Sequence, residues 1–363
     1  MASSELIIFK QKKYQPKTKE FSNDFHPKKI IVGDGIQPVI VKTVEGLKAN
    51  SSCLRCLEPR CIQYSIDEIV VEDFSSFPFD SQRNVCATDA IIWEEEDNSP
   101  KINADLCIMC GVCLSRCPVG AIYFDQQQKT AKIWDEPNEL FRLIDKKVSE
   151  EEMDNLISTF DHVKREGCFL VETEEILRAL KLKILEYVGK NGSQFSNILT
   201  RNLFIEIGIQ ASSRRLGDTN IRNDLILGQP GISLGTGEVE IGNDSLSITR
   251  KLLDDIVVLV SRYGFDKDNL VPFAICFTLP NNRSEYWQVV KDIKDVLKIK
   301  IQTITLIGLF TILWSRSKLS IKNINDLYID IDNTSLREKI ERIIDRELNL
   351  DGDASLGLFD CEK

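Results

Sequence analysis

The residues best equipped for chemistry in this chain are its cysteines, and the densest run of them is Cys107-Ile-Met-Cys110-Gly-Val-Cys113-Leu-Ser-Arg-Cys117-Pro118. Thiolates are soft, polarizable donors that suit iron. Two-residue gaps let three sulfurs converge on one cluster from a short loop, with Gly111 relieving crowding where the backbone passes close. Cys117, set off by a three-residue gap, cannot easily close the same tetrahedral set, so a second set of cysteines is required. Upstream stand Cys53, Cys56 and Cys61, followed after an insertion by Cys86. Zinc or a disulfide scaffold is the weaker account, because zinc sites recruit histidine and this chain has only His26 and His162.

An internal repeat ties the two sets together. Cys86-Ala-Thr-Asp-Ala90-Ile91-Ile92-Trp93 aligns with Cys117-Pro-Val-Gly-Ala121-Ile122-Tyr123-Phe124, and the halves return through Lys101-Ile102 and Lys132-Ile133. Each half predicts a loop, a short helix and a hairpin. The CxxCxxCxxxCP run resembles that of bacterial ferredoxins with two [4Fe-4S] clusters. The upstream set departs from that pattern in its four-residue gap before Cys61, its insertion before Cys86, and Ala87 in place of proline. By the crossed ligation of that family, the resemblance implies one [4Fe-4S] cluster on Cys53, Cys56, Cys61 and Cys117. It implies a second on Cys86, Cys107, Cys110 and Cys113. The insertion, with Ile69-Val70-Val71 and Phe74 to Phe79, is expected to lie over the first cluster and shield it from water.

The elements that position these residues belong to a chain of 363 residues, long enough for two or three domains. Hydrophobic residues make up 42%, enough for a core, and no apolar run approaches the roughly 20 residues of a membrane-spanning helix. The short apolar patch near the start is too brief for a signal-peptide core, so a cytoplasmic location with reduced thiols is expected. Cys168, Cys276 and Cys361 remain as ordinary cysteines. The net charge of −10 argues against a generally basic nucleic-acid-binding protein. It is unevenly placed, with an acidic cysteine region around Glu94 to Asp97 and a lysine-rich first thirty residues. An acidic face can steer docking onto a basic redox partner, and a basic arm can track phosphates.

From Pro137 the pattern turns helical, with Leu140, Phe141, Ile144 and Val148 on one face, then a capping box at Ser149 to Glu152. A third helix follows Thr173 with the stripe Ile176, Leu177, Leu180, Ile184, Leu185 and Val188, closed by Gly189 and Gly192. The last third has a definite order: an apolar stretch from Asn202 to Ile209, a strand from Ile221 to Leu227, a Gly-rich turn from Gly228 to Gly237, and a strand from Glu238 to Ile241. A helix from Ser245 to Arg262 follows, its expected buried side being Leu246, Leu252, Leu253, Ile256, Val257 and Val260. Next come a strand at Val271 to Leu279, a helix from Ser284 to Leu297 and a strand-like apolar run from Ile301. Ser335 to Glu338 caps a terminal helix with Ile340, Ile343 and Ile344 inward.

An acid on one strand and two alternating acids on the next, with a helix and a strand behind them, resembles the PD-(D/E)xK core of restriction endonucleases. Alternating residues on a strand share a face, so Glu238 and Glu240 can join Asp224 around Mg²⁺. The resemblance implies Asp224 and Glu238 as metal ligands, Glu240 at the position usually held by lysine, Glu206 as an additional helix-borne acid, and Arg214, Arg215 and Arg222 as phosphate contacts. The glycine series matches no phosphate-binding loop.

The expected fold is α+β. Residues 1–44 form an N-terminal extension, 45–137 a dicluster ferredoxin-like domain, 138–197 a helical connector, 198–318 a restriction-endonuclease-like α/β domain, and 319–363 a helical segment. Two functions follow from the two resemblances. In one, a Mg²⁺-dependent DNA endonuclease of restriction or defence type carries clusters for structure, redox sensing or electron supply. In the other, an electron-transfer subunit passes electrons to a redox partner protein, with the C-terminal domain as its docking scaffold.

Overall fold

The two halves of the internal repeat fold into two hairpins of the same register. In the computed structural model, β1 (Ile91–Glu94) pairs antiparallel with β2 (Ser99–Ile102), and β3 (Ile122–Asp125) pairs antiparallel with β4 (Thr130–Ile133). Ile91 faces Ile102 as Ile122 faces Ile133, and Ile92 faces Lys101 as Tyr123 faces Lys132. Even the ion pair repeats, Lys101 to Glu94 at 3.5 Å and Lys132 to Asp125 at 2.7 Å. Alternation sets this register, because a one-residue slip would turn the buried Ile91 and Ile122 outward.

The structure describes residues 53, 59–71, 79–96, 99–117, 121–125, 129–133, 172–215, 222–229, 233–242, 245–315, 317–321, 327–330 and 334–352. The expected helices over Pro137 to Glu152, most of the Phe74 to Phe79 segment, and Cys56, Cys168 and Cys361 lie outside them. Two compact units divide the chain, Met1–Gln63 with Thr88–Leu170, and Tyr64–Ala87 with Val171–Lys363. No helix among the described residues is long and apolar enough to cross a membrane.

The second unit is built on a five-stranded sheet in the order β5 (Gln210–Ser213), β6 (Leu225–Gln229), β7 (Ser233–Glu240), β8 (Leu270–Cys276) and β9 (Gln302–Thr305). The first three strands form an antiparallel meander; β7, β8 and β9 run parallel. Parallel neighbours need crossovers, supplied by α5 (Ser245–Tyr263) and α6 (Glu285–Leu297). Before the sheet come α3 (Glu174–Asn191), capped by Thr173 as expected, and α4 (Ser193–Glu206), which runs across residue 198. In α3 the stripe buries Leu177, Leu180 and Ile184, while Leu185 is exposed.

Several expectations are corrected. The strand expected from Ile221 begins at Leu225. Gly235 and Gly237 are not turn residues but lie inside β7, where a Cβ would come within 3.1 Å of Leu227 Cβ and of Ile275 Cδ1 respectively. The buried face of α5 is Ile248, Leu252, Ile256 and Leu259, and Val257 points to solvent. The apolar run from Ile301 is a strand only as far as Thr305. Thr305 Oγ1 there accepts the Gly308 amide at 3.0 Å and starts α7 (Leu306–Trp314), all nine of whose residues are buried. The terminal helix α8 (Leu336–Ile344) has its capping box and buries Ile340 and Ile344.

The cysteine-region insertion runs between Cys61 and Cys86. Its described residues are built into the second unit. The short helix α1 (Ile66–Ile69) leaves carbonyls open, and β5 satisfies them: Gln210 donates to the Asp67 carbonyl and Ser212 to the Ile69 carbonyl. Val71 then packs on Gly228 of β6, where an added Cβ would overlap its Cγ1. Gly228→Ala is therefore expected to destabilise the protein by about 1–3 kcal/mol, read by urea unfolding, and Val71→Ala in the same chain should recover part of the loss. A neutral Gly228→Ala would show that this packing is not required.

Candidate functional site

In the first unit, Gly111 (φ 79°) takes the left-handed conformation glycine favours, and α2 (Val112–Arg116) starts directly after it. Cys53, Cys61, Cys107 and Cys117 are buried, and Cys86, Cys110 and Cys113 are half-buried. Backbone amides reach the sulfurs: Ala121 N–H donates to Cys117 Sγ (3.2 Å) and Ala131 N–H to Cys107 Sγ (3.5 Å). Amide donors to a ligating sulfur are one of the influences that tune the potential of the cluster it holds. The loops bearing Cys61 and Cys117 are tied by Arg116, whose Nε donates to the Arg60 carbonyl at 2.6 Å. Cys86 lies in the stretch belonging to the second unit, two residues before the chain re-enters the first at Thr88.

The second constellation is acidic. Continuing the Leu225↔Gly237 register, Asp224 stands opposite Glu238, and the two are locked reciprocally. Asp224 N–H donates to Glu238 Oε1 at 3.2 Å, and Val239 N–H donates to Asp224 Oδ2 at 3.2 Å. Asp224 Oδ1 accepts from Asn197 Nδ2 at 3.0 Å and has Arg214 Nη2 at 3.6 Å. Glu240, on the same face of β7 and half-buried, accepts the Gly242 amide at 2.8 Å. Glu206 is not brought into this group. It sits nine residues beyond Asn197, about 13 Å along α4 at 1.5 Å per residue. Arg215 is exposed, and Arg222 is an exposed partner of Asp254.

Sequence reasoning missed Asn197, Lys251 and Asp255. Lys251 Nζ of α5 stands 3.7 Å from Glu240 Oε2 and 3.9 Å from Glu238 Oε2. Asp255 is 1% exposed, hydrogen-bonds Glu238 and accepts from Thr236 Oγ1 at 3.4 Å, while its Oδ1 is buried with no hydrogen-bond partner. A signal for it existed. Asp255 follows Leu252 by three residues and precedes Ile256 on the buried face of α5, so an acid interrupts an apolar stripe, hidden by the wrong choice of face.

Burial, then the charges of Asp224 and Asp255, push the Glu238 carboxyl far above the ordinary carboxylate range. Burial also raises Asp255, though less. Lys251 is half-exposed and too distant to offset this. Among the described residues, no group of three or more His, Cys, Asp or Glu side chains forms a ready cage for a metal ion. Mg²⁺ needs no such cage, since one or two carboxylates with waters and substrate phosphate suffice.

The comparisons with known proteins bear on the cysteines. Residues 100–123 match the family described as 4Fe-4S binding domain, which implies a [4Fe-4S] cluster in an α+β protein of iron–sulfur type. No curated protein and no solved structure matches the chain.

The Glu238 shift has a definite sign. Above the ordinary carboxylate range, about pH 4.3, the unfolded chain releases a proton that the folded chain keeps, so this group lowers stability as pH rises. Glu238→Gln should therefore flatten the fall in stability between about pH 5 and about pH 8, by up to about 1.4 kcal/mol per pH unit. Urea unfolding across that range checks it, and identical slopes in the two proteins would mean that Glu238 ionises normally.

Proposed function

We propose that this chain is an iron–sulfur protein with two [4Fe-4S] clusters and a Mg²⁺-dependent phosphodiesterase in its C-terminal unit, acting on DNA as a restriction-type endonuclease. The observation that carries the second part is Asp224 set opposite Glu238 on adjacent strands, followed by the α5 crossover and β8, the order of elements in the PD-(D/E)xK core. Buried like charges, with the orphaned Asp255 Oδ1 beside them, make a place where a cation relieves repulsion. Asp224 and Glu238 would hold the ion. With Mg²⁺ held there, the site would have a means of activating water and of offsetting charge on a scissile phosphate.

The remaining roles fall to the chain's own side chains. Glu240 occupies the motif's lysine position, and Lys251 of α5 supplies the missing positive charge beside it. Asn197 orients Asp224. Arg214 lies beside Asp224 and is suited to a phosphate oxygen, as are the exposed Arg215 and Arg222. For the clusters, the crossed ligand sets are Cys53, Cys56, Cys61 with Cys117, and Cys86 with Cys107, Cys110 and Cys113. The Arg116 to Arg60 bond supports the first by joining the loops of Cys61 and Cys117. The repeated hairpins support a second cluster related to the first.

A second reading, electron transfer to a redox partner protein, is favoured by the 4Fe-4S family match. One experiment separates the two. Anaerobically purified protein should bind about eight irons, with about four lost in Cys110→Ser. It should nick plasmid DNA only with Mg²⁺, and Asp224→Ala should lower cleavage at least about a hundredfold while leaving cluster absorption intact. Cleavage indifferent to Asp224 would sink the phosphodiesterase. No cleavage together with reversible reduction by dithionite would favour electron transfer.

A further inference from the structure

Thr236 stands two residues before Glu238 in β7, so the two side chains lie on one face of the strand. Its hydroxyl joins two buried groups. Asn223 Nδ2 donates to Thr236 Oγ1 at 2.7 Å, and Thr236 Oγ1 donates to Asp255 Oδ2 at 3.4 Å. Chemistry fixes the direction of this chain, because an amide nitrogen only donates and so leaves the single hydroxyl proton of Thr236 for the carboxylate. Asp255 in turn hydrogen-bonds Glu238, whose Oε1 also accepts the Asp224 N–H at 3.2 Å. Asn223 and Asp224 are neighbours in the chain, so these bonds close a loop through the Glu238 carboxyl. Asn223, Thr236, Asp255 and Glu238 are each at most 3% exposed.

As packing alone, this loop is unfavourable. Asp255 interrupts the apolar stripe of Ile248, Leu252, Ile256 and Leu259 on α5, and its Oδ1 has no hydrogen-bond partner among the described residues. A buried acid with an unpaired oxygen lowers stability relative to an apolar side chain of similar size. Packing therefore gives no reason for an acid at this place, whereas its hydrogen bond to Glu238 does. We propose that Asn223, Thr236 and Asp255 are positioning residues that hold the Glu238 carboxyl in the orientation in which it, together with Asp224, takes a divalent cation. The inference rests on the reading of Asp224 and Glu238 as ligands. Hydrogen-bond partners behind a ligating carboxylate set its direction, and losing one weakens metal affinity about 10–100-fold.

The test measures Mn²⁺ binding to the full-length protein, without DNA, from the room-temperature electron paramagnetic resonance of the free ion; urea unfolding confirms that each variant is folded. The wild type should bind Mn²⁺ at a site lost in Asp224→Ala. Thr236→Val keeps the shape and removes the hydroxyl, and it should raise the dissociation constant at least about tenfold, while Thr236→Ser, which keeps the hydroxyl, stays within about twofold of the wild type. Asn223→Ala, which leaves β7 intact, should weaken binding at least about threefold. Added to Thr236→Val, where the loop is already open, it should change the constant by less than about twofold. Unchanged affinity in Thr236→Val overturns the positioning role, and so does an equal loss in Thr236→Ser, which would trace to packing of the missing methyl. Losses that multiply in the double variant overturn it as well, since the groups would then act separately. Wild-type protein with no Asp224-dependent Mn²⁺ site overturns the ligand reading itself, and the positioning role falls with it.

Discussion

A helix whose polar face is buried has to find a partner for every group on it. In α4 that face carries Asn197, Arg201 and Asn202, each at most 3% exposed, and leaving any of them unpaired costs about 1–3 kcal/mol. The second unit is arranged around meeting this demand. Asp224 takes the Asn197 amide, and the carbonyls of residues 82, 84 and 85 take the other two. A segment inserted between cysteines thereby becomes part of the α/β unit, and Tyr64, Ile69 and Val71 supply the apolar contact that accompanies it.

The acidic site shows the same economy of position. Antiparallel register places Asp224 against Glu238, and the parallel crossover through α5 brings Asp255 and Lys251 to the same edge. The backbone amides of Asp224 and Val239 satisfy part of the carboxylates, yet burial and mutual repulsion raise the Glu238 carboxyl far above the ordinary carboxylate range. The glycines of β7 let the neighbouring strands approach closely, with Leu227 and Ile275 packed where a Cβ would stand.

The cysteine unit relies on backbone donors instead. Amides of Ala121 and Ala131 reach Cys117 and Cys107, and the left-handed Gly111 turns the loop into α2. The repeated isoleucines shape two short hairpins that could not stand alone; β2 packs beside β4, and α2 packs against β3.

Local chemistry was legible in the amino-acid sequence wherever the signal was short-ranged. The cysteine spacing, the paired hairpins ending in Lys101-Ile102 and Lys132-Ile133, the helix starts after Thr173 and near Ser284, the cap at Ser335, and the order of strands around Asp224 and Glu238 all depend on neighbours within a few residues. The sequence alone did not show that Asn197 and not Glu206 reaches Asp224, that Asp255 lies on the buried side of α5, or that the apolar run from Ile301 changes from strand to helix at Thr305. Nor did it show that the insertion before Cys86 joins the α/β unit. Those outcomes were decided by tertiary structure, because each depends on which distant group meets a buried polar atom. Asn202 and Val85 are 117 positions apart in the chain, and no pattern in either neighbourhood specifies the other.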